Sequence, residues 1–183
     1  KDFDKVNEID RKYKKAHYTR GLTKLQNNDI TGAITDFNKA IKFNPSDTNA
    51  YYYRGYAKYS RNDYAGAIID FSKAIELNKL DANYYSFRAS CYFFTNQFDL
   101  AIGDHTTSIQ LDPSIEDNYI NLGIIYYSRG EYKKANGAIL MGLEQLPQSI
   151  KLLDALATFY MDEGFYDNAI KYFNKCLAIE NTN

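Results

Sequence analysis

The stretch NAYYYRGYAKY, Asn49 to Tyr59, has an echo that decides how it folds. KAHYTRGLTKL, Lys15 to Leu25, aligns with it at a shift of 34 residues. At the same shift, TDFNKAIKFN (Thr35 to Asn44) aligns with IDFSKAIELN (Ile69 to Asn78). A fixed period of this size marks a supersecondary unit that buries its apolar face by stacking on its neighbours. Carried through the chain, the period divides it into 14–47, 48–81, 82–115, 116–149 and 150–183.

The residue types within each unit predict two helices and a turn. Position 8 is Gly21, Gly55, Ala89, Gly123 and Ala157, and position 20 is Ala33, Ala67, Ala101, Ala135 and Ala169. A mid-helix glycine costs about 1 kcal/mol relative to alanine. Three in register therefore imply that two helix backbones approach closely, with glycine opposite alanine. Position 15 is Asn28, Asn62, Asn96, Gly130 and Gly164, the types that tolerate the left-handed backbone at a helix C-terminus. Helix A thus ends there and helix B follows. Pro45, Pro113 and Pro147 precede the next helix, with Asp47, Asp81 and Ser149 placed as N-caps.

This pattern resembles the tetratricopeptide repeat family, whose 34-residue unit has small residues at positions 8, 20 and 27, an aromatic near 24 and proline at 32. Phe37, Phe71 and Phe173 fit position 24, and Ala40 and Ala74 fit position 27. The departures are His105 and Ile139 at 24, Ser108, Gly142 and Cys176 at 27, and Lys79 and Asn181 at 32. The resemblance implies an all-α fold, a right-handed α-solenoid of stacked antiparallel helix pairs with a concave groove lined by the A helices. It also implies a single array over 1–183.

Composition narrows the function. With 22 Lys+Arg against 23 Asp+Glu, the formal net charge of −1 lacks the basic excess of a nucleic-acid binder. No apolar run approaches a membrane span, so neither nucleic acid nor membrane insertion is expected. Two isolated cysteines, Cys91 and Cys176, make no disulfide framework and favour a reducing compartment such as the cytoplasm. No phosphate loop is present. Cys91 and His105 share a unit but cannot close a metal site, and His17 and His105 occupy core positions. Neither catalysis nor a cofactor is expected.

Two constellations remain. Arg20, Arg54 and Arg88 stand at position 7 of the first three units, and Asp36, Asp70 and Asp104 at position 23 of the same units. The two types vanish together in units four and five, which favours one structural Arg–Asp bridge per repeat over an arginine ladder for acidic ligands. The second constellation is a stripe on helix A at positions 2, 5, 9, 12 and 13, which the resemblance places on the groove. Its candidate ligand residues are Tyr18, Asn49, Tyr52, Tyr56, Tyr59, Asn83, Phe93, Phe94, Ile124 and Tyr127. Tyrosines give stiff amphipathic contact area suited to a peptide. The slots with which heat-shock co-chaperones grip a terminal carboxylate hold Tyr18, Leu22, Tyr53, Asn83 and Phe87, so that clamp is absent.

The expected function is a protein-interaction module binding an apolar or aromatic peptide segment, the acidic stripe of unit five favouring a basic flank. The alternative is self-assembly through uncapped repeat ends, with an apolar edge around Tyr172, Leu177 and Ile179. At the other end, KDFDKVNEI (Lys1 to Ile9) matches IDFSKAIEL (69–77) at twice the period. Residues 1–13 therefore read as the second half of a helix B from a truncated preceding repeat, with Phe3, Val6 and Ile9 packed on repeat one.

Overall fold

A computed structural model describes residues 15–181, and every regular element among them is an α-helix. They are α1 (15–26), α2 (Ile30–Phe43), α3 (Thr48–Ser60), α4 (Tyr64–Leu77), α5 (Ala82–Phe94), α6 (Phe98–Leu111), α7 (Glu116–Ser128), α8 (Tyr132–Gln145), α9 (Ile150–Asp162) and α10 (Tyr166–Glu180). The architecture is an all-α solenoid in which consecutive helices from α2 to α5, and again from α6 to α10, pack through short turns. The chain falls into two compact units, Lys1–Gln97 with α1 to α5 and Phe98–Asn183 with α6 to α10. The expected packing of Phe3, Val6 and Ile9 lies outside the described residues.

Local chemistry explains where the helices start and stop. Asn28, Asn62 and Asn96 have φ of 60°, 63° and 59°, and Gly130 and Gly164 have 73° and 82°. Each reverses the chain between an A and a B helix in the left-handed region, which Asn and Gly reach at least cost. The Asp47, Asp81 and Ser149 side chains accept hydrogen bonds from the N–H groups of Ala50, Asn83 and Leu152. Two further caps were not read from the sequence: Asp29 and Asp63 accept from Gly32 N and Gly66 N and start α2 and α4.

In unit one the core runs through Ala33, Phe37 and Ala40 of α2 and Ala67, Phe71 and Ala74 of α4, all buried. Each phenylalanine stacks on an aromatic ring of the following A helix: Phe37 on Tyr53 at 6.2 Å and 20°, Phe71 on Phe87 at 5.8 Å and 20°. Burying a side chain of this size contributes roughly 1.5–3 kcal/mol. The position-8 glycines make room for these rings. A Cβ on Gly55 would lie 2.9 Å from Phe71 Cε1, and one on Gly21 2.7 Å from Phe37 Cε1. The expectation of glycine set against alanine is corrected accordingly: the atoms that need the space belong to position 24.

In unit two the core joins Tyr119, Ala135, Ile139, Leu152, Leu156 and Phe159. The α6–α7 contact is different in kind. His105 Nδ1 lies 2.9 Å from Asn118 Oδ1, and Asn118 Nδ2 donates to Ser108 Oγ at 2.8 Å, all three residues being fully buried. Because the Asn118 amide nitrogen is engaged by Ser108, its oxygen accepts, so Nδ1 of His105 carries the proton. His105 Nε2 is buried with no hydrogen-bond partner among the described residues.

Candidate functional site

The charged residues of the first two repeats form compact clusters in the compact unit Lys1–Gln97. Arg54 Nε donates to Asp70 Oδ2 at 2.9 Å and Nη2 to Oδ1 at 2.5 Å, while Lys58 Nζ lies 2.8 Å from Oδ2. Arg20 engages Asp36 in the same bidentate way at 2.8 and 2.5 Å, joined by Lys24 at 3.0 Å. The single bridge per repeat expected from the sequence is therefore a carboxylate shared by two cations. Lys24 and Lys58 at position 11 were the missed signal, since position 11 faces helix B. His17 is also corrected: it is half-buried rather than core, its Nδ1 3.3 Å from Asp36 Oδ1 and its ring stacked on Phe43.

The hydrogen bond from Arg20, with further ones from Lys24 and His17, holds the Asp36 carboxyl well below the usual carboxylate range against the opposing effect of burial. The third nitrogen of the fork reaches the preceding repeat. Arg54 Nη1 donates to Asn38 Oδ1 at 2.7 Å, and Arg88 Nη1 to Ser72 Oγ at 3.0 Å. In the third repeat, Arg88 stands in the compact unit Lys1–Gln97 and Asp104 in the compact unit Phe98–Asn183.

The helix-A stripe expected to line a groove divides by burial. Tyr52 is half-buried and lies within 5.0–6.0 Å of the rings of Tyr53, Tyr84, Phe87 and Phe71. Tyr59 contacts Tyr64, Phe87 and Phe94 at 5.7–6.1 Å, and Tyr18 contacts Tyr53 at 6.0 Å. Burial pushes the Tyr18 hydroxyl up to about 12 and raises Tyr52 and Tyr59 as well, with smaller contributions from neighbouring Tyr53 and Cys91 respectively. These hydroxyls remain protonated donors at neutral pH.

Tyr56 is 37% exposed and its ring meets Phe87 edge-on at 5.4 Å. Phe94 is exposed and stacks on Tyr64 at 4.7 Å, with Phe93 at 5.5 Å from it. Asn49 and Asn83 are exposed, and the Asn83 amide donates to Asp81 at 3.1 Å. In unit two, Ile124 is exposed, while Tyr127 is half-buried against Tyr132 and Phe159 at 4.9 and 4.8 Å.

A cleft of about 430 Å³ opens between α1 and α3, lined by Leu22, Leu25, Gln26, Tyr52, Tyr53 and Tyr56. No charged side chain lines it. Its floor is aliphatic from α1, its wall aromatic from α3, and Gln26 is its amide. Such a lining takes up an apolar side chain and offers hydrogen bonds at the edges. Tyr53 was missed because position 6 lies outside the stripe. Its signal was the aromatic pair Tyr53 and Phe87 at that position in units two and three. No group of three His, Cys, Asp or Glu suited to a metal exists among the described residues.

Family models described as TPR repeat and tetratricopeptide repeat match residues 21–60, 48–81 and 150–183, together just over half of the chain. No curated protein matches it by sequence. Among solved structures, a crystal structure of MamA is similar at 28% identity and a TM-score of 0.78, covering 88% of this chain and 95% of that one. MamA from Desulfovibrio magneticus RS-1 is similar in fold at 18% identity and a TM-score of 0.80, covering 93% and 97%. YrrB, described as a TPR protein with an unusual peptide-binding site, is similar in fold at 17% identity and a TM-score of 0.72, covering 99% and 93%.

Proposed function

The chain belongs to the tetratricopeptide repeat family of protein-interaction scaffolds, and on that footing we propose that it binds an extended peptide whose apolar or aromatic side chain inserts between α1 and α3. The observation that carries this reading is the uncharged cleft of Leu22, Leu25, Gln26, Tyr52, Tyr53 and Tyr56. Rings already held by neighbours lose little freedom on binding, so contact area there converts efficiently into affinity. Specificity comes from the anchor side chain, with Asn49 and Asn83 along the stripe as polar contacts for the peptide backbone. No catalytic family is indicated by the comparisons. The peptide-binding site named for YrrB supports the reading by likeness of fold alone.

A peptide-display selection against the full chain tests it, read out by fluorescence titration of the recovered sequences. Recovered peptides share an apolar or aromatic anchor, and Tyr56→Ala together with Leu22→Ser weakens them at least ~10-fold, about the worth of one buried anchor. These two positions are preferred to Tyr52, whose truncation would damage the seams between helices. Selected peptides without an anchor, or with unchanged affinity for the double variant, would refute this site.

A further inference from the structure

The period that builds the cleft also copies it. One repeat on, the positions of Leu22, Leu25, Gln26, Tyr52, Tyr53 and Tyr56 hold Tyr56, Tyr59, Ser60, Ser86, Phe87 and Ser90. Again none of them is charged, and none is buried. Tyr56 and Tyr59 of α3 meet the Phe87 ring of α5 edge-on at 5.4 and 5.8 Å. A second seat, made of rings, thus lies beside the first and shares Tyr56 with it. At the corresponding positions of α7 and α9 the pattern breaks, with Asp154 where Tyr52 and Ser86 stand.

Hydrogen bonding decides which peptide conformation suits both seats. Every regular element among the described residues is a helix, whose backbone groups bond within it. The seats therefore offer no sheet edge, and a peptide in the β conformation would find no backbone partner for its N–H groups. A polyproline II segment needs none, since it makes no internal hydrogen bonds, stays solvated and has no N–H at each proline. The polar groups present suit it too. Among the described residues the hydroxyls of Tyr52, Tyr53 and Tyr56 hold no hydrogen bond, which leaves phenolic donors for the carbonyls of a ligand. Uncharged, aromatic-lined seats are also the kind that proline rings dock into. The step agrees: neighbouring packed helices lie about 8–10 Å apart, and one polyproline II turn of three residues advances about 9 Å. A segment crossing the A helices then sets every third residue into a seat. Resting on the peptide reading above, we propose that the ligand is an uncharged polyproline II segment with two prolines three residues apart. One occupies the α1–α3 cleft and the other packs on Tyr56, Tyr59 and Phe87.

Calorimetric titration of the full 183-residue chain with short capped peptides of serine and glutamine, carrying two prolines at varied spacing, tests this. Prolines three residues apart bind at least ~10-fold tighter than prolines two or four apart, the worth of one seated anchor. Leucine or phenylalanine in place of both prolines weakens binding at least ~5-fold, because a more flexible backbone must then be ordered. In Leu22→Ser with Tyr56→Ala the preference for the three-residue spacing disappears, and the peptide series on the unaltered chain stands whether or not that variant folds. Leucine or phenylalanine peptides that bind as well as the proline pair, and are lost in the double variant, would overturn this proposal and leave the peptide reading standing. Proline pairs that bind alike at every spacing would also overturn it. Absence of binding by every peptide in the series would overturn both.

Discussion

Asp70 faces more positive charge than a single bridge supplies, and that changes what removing a partner does. Its carboxylate is fully buried and holds Arg54 through two bonds and Lys58 through a third contact. A buried carboxylate stripped of every cation costs about 3–5 kcal/mol. Arg54→Ala leaves Lys58 in place, so its expected cost is only ~1–2 kcal/mol, and Lys58→Ala costs less. The double variant reaches the full ~3–5 kcal/mol, more than the two single losses together. Urea unfolding of the four proteins measures this coupling, and simple additivity would show that the two cations act separately. The pairing of Arg54 with Asp70 could be seen in the sequence because both types vanish together after unit three. The part of Lys58 was harder to see, although position 11 faces helix B, because a long flexible stem carries its ammonium well away from its own Cα.

At the level of the helix, one substitution is expected to have opposite signs in two places. Alanine in place of glycine gains about 1 kcal/mol of intrinsic helix stability. In α6, a Cβ on Gly103 meets nothing within 4 Å, so Gly103→Ala stabilises by up to ~1 kcal/mol. In α3, a Cβ on Gly55 falls 2.9 Å from Phe71 Cε1 and 3.2 Å from Asp70 Cβ, and overpacking of this kind costs ~1–3 kcal/mol. Gly55→Ala is therefore net destabilising, and thermal melts of the two variants should move apart. Movement in the same direction would mean that the α3–α4 pair relaxes freely around the added methyl group. The helices and their turns were legible because small residues and left-handed Asn or Gly are set by backbone sterics, which repeat with the period. The cleft was less so. Tyr52 and Tyr56 sit on one stripe, yet Tyr52 serves the seams between helices and Tyr56 stays more open. An amphipathic ring suits either place, and only the neighbouring helix decides.

For the molecule as a whole, the buried polar seam of His105, Ser108 and Asn118 sets how stability responds to pH. Burial, partly offset by the hydrogen bond with Asn118, lowers the His105 pKa from its ordinary 6.5, so the folded state prefers the neutral ring. The unfolded chain takes up a proton near pH 6.5 and the folded chain only below that. The contribution of this group is therefore complete above the unfolded value and declines as the pH falls beneath it. The melting temperature should drop between about pH 7.5 and about pH 5.5, and His105→Gln, which keeps an amide for Asn118 but cannot be charged, should flatten that interval. An unchanged slope in the variant would assign the effect elsewhere. Asp36 acts in a separate, more acid window: its depressed carboxyl contributes above the ordinary carboxylate pKa of 3.8, and that contribution is lost as the pH falls through the folded value. The linked rings of unit one, Tyr18 to Tyr53, Tyr53 to Tyr52 and Tyr52 to Tyr84, are spaced at 6.0, 5.0 and 5.2 Å in a protein with 18 tyrosines and no tryptophan. Rings at that spacing hand electronic excitation from one to the next before emitting. The ring series beside the cleft is thus an optical antenna: light absorbed anywhere along it drains to a tryptophan brought into the cleft, and the only tryptophan emission in such a sample is the added molecule's.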